Sequence, residues 1–563
     1  MTRTSTLLAL GLSLTAAASA IAQPPAGRPG GPGGPGGPAG PGGPGGRGGA
    51  AARTGLPVEP RPDYVRTAAP TDPVVARMWA EGMERSRVAT YAQQLLDSVG
   101  PRLTGSPGHR AGNDWLLATY RGLGITARNE RYGTWNSWRR GISHIDLVSP
   151  RVRSLEGVML AWSPGTGGQP VEGEVVILPE AASPEAFRAR QAELRGKWVL
   201  IDPARLSCRS AQQWQEFGTP ESRAQLDSAQ RQLTTSWNDR RLQAGNLQQT
   251  MKAAGAAGVI GSNWSQYPGI DKIFGTPNQQ VPTFDVSCED YGLLYRMAEN
   301  GQKPRVRVTA ESEFQGEQPV FNTVAEIRGS EKPDEYVVLS AHFDSWDGAS
   351  VATDNGTGTL TMLEAMRILK AAYPNPKRTI VVGHWGGEEQ GLNGSRAFTE
   401  DHPAIVQKTH AFFNQDNGTG RVVNMSPGGL VGAGPALRRY LSEIPSQITQ
   451  YINYSEPGAP AGGGSDNAAW ACSGAPAFGL NALSWDYSNT TWHTNRDTYD
   501  KIALADLRSN ATLVAMLAYL ASEDPTFMPR ERVQQLPPNP RTGQAQTWPE
   551  CVKATRESSG YRR

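Results

Sequence analysis

The chain has 563 residues, enough for two or three domains. Its 55 basic and 53 acidic residues leave a formal net charge of +2. That balance offers no case for nucleic-acid or membrane-surface partners.

The N-terminus reads as an export signal over residues 1–22. Arg3 supplies the basic start, Leu7–Leu12 opens a short apolar core, and Ala20-Ile21-Ala22 is a small-residue cleavage site. The core is too short to span a bilayer, and no later run reaches the roughly 18 apolar residues that spanning requires. No membrane contact is therefore expected after cleavage. Residues 23–56 are a Pro/Gly-rich linker. They keep a three-residue glycine period, yet their third position is Gly rather than Pro, which favours a disordered tether over a triple helix.

From 57 to 154 the pattern is helical at first. Trp115, Leu116, Leu117, Tyr120 and Leu123 form an apolar face after the turn Gly105–Gly108. From 155 to 315 the strands are short, at Gly173–Leu178 and Lys197–Asp202, and Met251–Ile260 reads as a helix entering a strand. This stretch has no acid, base or metal cluster, and its polar part, 205–245, has no assignable role. From 316 to 526 three continuous apolar strands recur, at Tyr336–Ala341, Thr379–Val382 and Ala411–Phe413. A helix carrying Leu360, Leu363, Met366 and Leu369 joins the first two, and a last helix covers Leu507–Leu520. Such a pattern predicts an α/β fold: a mostly parallel central sheet sandwiched by helices, with an inserted β-rich domain. Residues 527–563 are Pro-rich and polar, a wrapping tail.

The strand ends carry the chemistry. His342 and Asp344 follow the first strand, Glu388 and Glu389 the second, and Asp416 the third; Asp354 precedes the connecting helix, and His493 lies further on. Active sites in parallel sheets lie beyond the carboxyl ends of the strands, so these residues converge despite their separation. Histidine and carboxylate are the ligands of hydrolytic zinc. Five ligands suffice for two ions if one carboxylate is shared, the arrangement of a two-metal hydrolase.

The segments His342–Gly348, Ala352–Gly358, Trp385–Gly391 and Trp492–Thr498 resemble the co-catalytic zinc exopeptidases related to bacterial leucyl aminopeptidase and glutamate carboxypeptidase. Phe321–Gly329, Ser345-Trp346-Asp347 and Pro376–Thr379 resemble the carboxypeptidase Q branch of that family. The resemblance spans roughly residues 85–525. It implies two zinc ions, with Asp354 bridging both, His342 and Asp416 on one, and Glu389 and His493 on the other. It implies that Glu388 is the general base and that Asp344 accepts a hydrogen bond from His342 and fixes its orientation. It also makes 57–154 and 316–526 two parts of one zinc peptidase domain, and 155–315 an inserted protease-associated domain serving as lid or access module.

Where glutamate carboxypeptidase relatives place Tyr before the last His, this chain has Trp492, a donor only. Tyr487 is the nearest hydroxyl. Asp466, in the loop Gly462–Asn467, is the candidate receptor for a substrate ammonium, or else a cap for the following helix. Arg496 is the competing receptor for a terminal carboxylate.

The reading is an exported zinc metallo-exopeptidase acting on short peptides, an aminopeptidase or dipeptidase. The alternatives are a carboxypeptidase, a single-metal glutaminyl cyclase and a receptor-like relative with a decayed site; the full ligand set argues against the last two. A homodimer is compatible with this reading. The four cysteines are expected to pair as Cys208–Cys288 and Cys472–Cys551. Glycosylation acceptors at Asn355, Asn393 and Asn417 fall inside the site loops, where glycans would obstruct them, so a bacterial periplasmic or secreted setting is expected.

Overall fold

The computed structural model of the chain describes residues 62–65, 71–539 and 542–560. The expected export signal and all of the Pro/Gly tether lie outside the described residues.

Two long strands organise the fold. β1 spans Thr126–Ser149, and β2 is the short strand Gly157–Met159. The next four strands lie in the inserted segment: β3 Val171–Ile177, β4 Trp198–Leu200, β5 Gly258–Gly261 and β6 Thr283–Val286. β7 spans Arg305–Ile327 and pairs antiparallel with β1 along nearly its whole length. β8 Lys332–His342, β9 Arg378–Trp385, β10 Thr409–Asn414 and β11 Ala477–Gly479 follow. The sheet order is β11-β10-β8-β9-β7-β3-β4-β5-β6-β2, with β1 on β7 off this path.

β7 belongs to both halves. Thr323–Ile327 pairs with β9, whereas Arg305–Val308 pairs with β3. Its sequence records the change of surroundings. Arg305, Val306, Arg307 and Val308 alternate exposed and buried, the period of a strand with one solvated face. Asn322–Ala325 are buried without interruption, because helices cover both faces there. The boundary expected at 315/316 thus falls inside one continuous strand, which alternation alone does not reveal.

In the peptidase half, β8, β9, β10 and β11 are parallel. Their residues divide by parity between two cores. Val337, Leu339, Ile380, Val382, Ala411 and Phe413 face the core that holds helix α1, Thr357–Ala372, and helix α2, Leu504–Glu523. Val338, Val381 and Phe412 face the opposite core, with Trp385, Phe398 and Trp470. The expected strands and helices are found here, each longer than its apolar kernel.

The core of the inserted segment holds Trp198, Phe284, Trp237 and Tyr291 and continues into Trp138, Trp346 and Val351 of the peptidase half. β3 to β6 are parallel; helices connect β3 to β4 and β4 to β5, and a loop without a helix connects β5 to β6. The stretch that had no assignable role contains one long helix, Pro220–Ala244, held through buried Trp237. Two buried residues, Trp237 and Ala244, in a polar 25-residue helix leave almost no periodic signal.

The C-terminal tail contacts the peptidase half. Arg530 donates to the carbonyls of Val406, Gln407 and Thr409, and Arg556 pairs with Glu400 and Asp401. Among the described residues, no helix is long and apolar enough to cross a membrane. Both expected disulfides are present, Cys208–Cys288 and Cys472–Cys551, closing loops with sequence separations of 80 and 79. Cross-links of that span restrict the unfolded chain and typically contribute about 2–4 kcal/mol. The C472S/C551S double variant should therefore unfold at lower urea concentration than wild type; an unchanged midpoint would show that the tail bond contributes nothing.

Candidate active site

The carboxyl ends of the parallel strands converge on one edge. β8 ends at His342, and β10 ends two residues before Asp416. β9 ends at Trp385, and a Gly386-Gly387 turn then presents Glu388 and Glu389. A Cβ at Gly386 would lie 2.9 Å from the Phe321 carbonyl oxygen, and Gly387 has a φ of +68°, so this close passage requires glycine. Asp354 precedes α1, and His493 sits on the loop between β11 and α2.

Two clusters form. His342 Nε2 lies 3.0 Å from Asp416 Oδ1 and 3.3 Å from Asp354 Oδ1. His493 Nε2 lies 3.0 Å from Glu389 Oε2 and 3.0 Å from Asp354 Oδ2. Each cluster offers one nitrogen and two carboxylates, Asp354 gives one oxygen to each, and both have the geometry to hold a metal ion. The donor set suits zinc. Glu389 Oε1 and Asp354 Oδ2 are buried and meet no aligned donor, as expected of atoms that serve a cation.

Electrostatics agree. Burial pushes both imidazoles toward neutrality, but the surrounding carboxylates outweigh it: Asp416 and Glu388 raise His342 well above its usual range, and Glu389 and Asp354 raise His493 to about 9. Burial raises Glu389 to about 7 and lifts Glu388 well above the carboxylate range. Two imidazoles among this many carboxylates leave an excess of negative charge that bound cations would compensate.

A surrounding layer fixes these groups. His342 Nδ1 is 3.0 Å from the backbone carbonyl oxygen of Asp344, to which it is placed to donate. The carboxylate of Asp344, expected to be that acceptor, stands 3.8 Å away and is otherwise engaged. It accepts from the amides of Glu388 (3.0 Å) and Glu389 (3.3 Å) and from the Thr104 hydroxyl (3.1 Å). Asp344 thus orients the glutamate pair through its side chain and the histidine through its backbone.

Two anchors escaped the sequence reading. Asp497 accepts from the amides of Thr353 (2.9 Å) and Asp354 (3.1 Å) and so pins the shared ligand. Its only sequence signal is its place four residues after His493. Arg102 is fully buried and donates to the carbonyls of Gly100, Phe343, Ser350 and Val351, tying together the loop from His342 to Asp354. A lone Arg far upstream gives no such signal.

The expected substrate-side residues part ways. Asp466 is buried beside the cluster, where Asp416 and Asp344 reinforce the effect of burial and raise it to about 7. It precedes the helix Asn467–Ala471 without capping it, neither of its oxygens meets a protein donor, and the neighbouring Ser395 hydroxyl turns to the Leu392 carbonyl instead. Trp492 stacks on His493, with ring centroids 3.9 Å apart. Arg496 is drawn away: its guanidinium pairs with Glu156 at 2.6 Å and donates to the Gly269 carbonyl. The ion pair with the inserted segment, invisible in sequence, claims its charge. Tyr487 lies near Asp354, Asp416 and Glu389, whose charges add to burial in holding its hydroxyl protonated.

A nitrogen-and-carboxylate double cluster at the carboxyl edge of a parallel sheet defines a metallohydrolase. The family model for peptidase family M28 matches residues 322–518. Carboxypeptidase Q of Bos taurus is 26% identical over 450 residues, covering 80% of this chain and 88% of that protein. Carboxypeptidase Q of Rattus norvegicus is 26% identical, covering 77% and 85%. The crystal structure of a peptidase M28 precursor from Shewanella amazonensis superposes with a TM-score of 0.59 at 23% identity, covering 83% of this chain and 98% of that one. A zinc aminopeptidase from Bacillus subtilis superposes with a TM-score of 0.50 at 18% identity, covering 79% and 96%; both structures share the fold. The chain is a zinc metallo-exopeptidase related to peptidase family M28.

The shared carboxylate makes a distinctive demand on metal content. Asp354→Asn should lower the affinity of both clusters, whereas Asp416→Asn should empty mainly one. Zinc per chain after dialysis against a weak chelator checks this; the same single-ion loss in both variants would contradict sharing.

Proposed function

We propose that the chain is an exported exopeptidase that binds two zinc ions and removes the N-terminal residue of short peptides, dipeptides included. The observation that carries the two-ion reading is the division of Asp354, one oxygen toward each histidine. His342, Asp354 and Asp416 would hold one ion, and Asp354, Glu389 and His493 the other. Zinc bound there would lower the pKa of a coordinated water to about 7 and polarise the scissile carbonyl.

Glu388 is the remaining carboxylate of the set, and Asp344 fixes its backbone. Its role is to take the proton of the attacking water and return it to the leaving amine. Asp466 receives the substrate ammonium: a buried carboxylate without a protein donor is stabilised by an incoming cation. Burial of the cluster limits solvent and strengthens each of these interactions.

The inserted segment, read as a protease-associated domain, limits access to short substrates. Two disulfides support an oxidising compartment, periplasmic or extracellular. The second reading is a carboxypeptidase. It draws on the names of the mammalian relatives and loses support from Arg496, whose charge is already paired.

Glu388→Gln should retain both ions and lose about 100- to 10,000-fold in kcat, the range of general acid–base terms; loss of an ion instead would make Glu388 a ligand. An unblocked dipeptide should be cleaved and its N-acetylated form left intact, as followed by mass spectrometry. Efficient cleavage of the acetylated form, with C-terminal amidation blocking the reaction, would establish the carboxypeptidase.

A further inference from the structure

The two histidines of the double cluster are held differently. His342 ends a central strand, and the carbonyl of Asp344 engages its Nδ1, all within the peptidase half. His493 has no such partner: its Nδ1 is buried, and among the described residues no group hydrogen-bonds to it. A metal-binding histidine usually gains its orientation from that second nitrogen. Its backbone also lies in the left-handed region, with a φ of +49°, and Trp485 and Asp486 of the same loop lie there too, at +46° and +57°. Non-glycine residues hold such conformations only when their surroundings impose them.

Those surroundings come largely from the inserted segment. The Ile273 amide donates to the His493 carbonyl at 2.8 Å. Lys272, buried, donates from Nζ to the carbonyls of Ser488 (2.9 Å) and Trp492 and lies over the Trp492 ring. The Asp271 amide donates to the Asn495 side chain, and the Asn495 amide returns a bond to the Asp271 carbonyl, each at 3.0 Å. Tyr267 donates to Asp486 at 2.6 Å. The imidazole of His493 is boxed by Trp492, stacked at 3.9 Å, and by Phe274, edge-on at 5.0 Å and 85°. Phe274, like Lys272 and Ile273, belongs to the inserted segment.

We infer that residues 265–274 of the inserted segment are a positioning element of the metal centre: they fix His493 and so complete the cluster of Asp354, Glu389 and His493, while the cluster of His342, Asp354 and Asp416 is built without them. Lys272 and Phe274 are positioning residues, acting through the Trp492 and His493 backbone and the His493 ring. The segment is then no detachable lid. This inference rests on the two-ion reading proposed above.

The test compares wild type with Lys272→Met and Phe274→Ala, with Phe274→Leu as the conservative control. Zinc release is followed during titration with a chromogenic chelator, and the cadmium-loaded proteins are compared by cadmium NMR. Wild type should release two ions per chain and show two resonances. Each variant should bind one ion about 10- to 100-fold more weakly, the usual effect of losing an orienting group around a metal ligand. One resonance should shift or broaden and the other stay in place, and Phe274→Leu should recover most of the affinity. A general folding defect would move both resonances, so loss of both ions together overturns the inference, as does release identical to wild type in both variants. A wild-type chain that binds a single ion would instead remove the two-ion reading itself, and the inference with it.

Discussion

The shared carboxylate of Asp354 is the constraint around which the site is built. One side chain must face two histidines about 150 positions apart in the chain, so its backbone has to be held in place. Asp497 does this by accepting from the Thr353 and Asp354 amides, and Arg102 secures the loop before it through the Ser350 and Val351 carbonyls. Both anchors are themselves charged and buried. Burial, reinforced by the charge of Asp354, pushes Asp497 up to about 7, so its hold on the amides is sustained against a desolvation cost.

The fold makes this economical. Parallel strands deliver His342, the Glu388-Glu389 pair and Asp416 to one edge, and the buried helix α1 begins where Asp354 must sit. Asp344 then couples the ends of β8 and β9, its carbonyl facing one ligand and its carboxylate the amides of the neighbouring glutamates. A shift of either strand end would disturb both.

Legibility in the sequence followed the same physics. The candidate ligands His342, Asp354, Glu389 and Asp416 could be read because each stands beside an apolar strand or helix, and the parity of Val337, Val338 and Leu339 marks a sheet covered on both faces. Cysteine pairing was legible because each pair stays in one half of the chain. Long-range partners were not. Arg496 sits beside His493 in sequence, but Glu156, which takes its charge, is 340 positions away. Arg102 and Lys272 work through backbone carbonyls, which every residue possesses and no motif records. The helix Pro220–Ala244 hides because only Trp237 and Ala244 are buried along its length. The continuity of β7 through both halves escaped notice because only its strand partners change, not its conformation.

The most direct test of the account is the position of the ions themselves. Diffraction data collected on either side of the zinc absorption edge should show two anomalous peaks about 3.5–4 Å apart, the spacing of two-metal hydrolytic sites. One peak should lie beside His342 and Asp416 and the other beside Glu389 and His493, with an oxygen of Asp354 on each. A single peak, or two peaks that do not share Asp354, would contradict it.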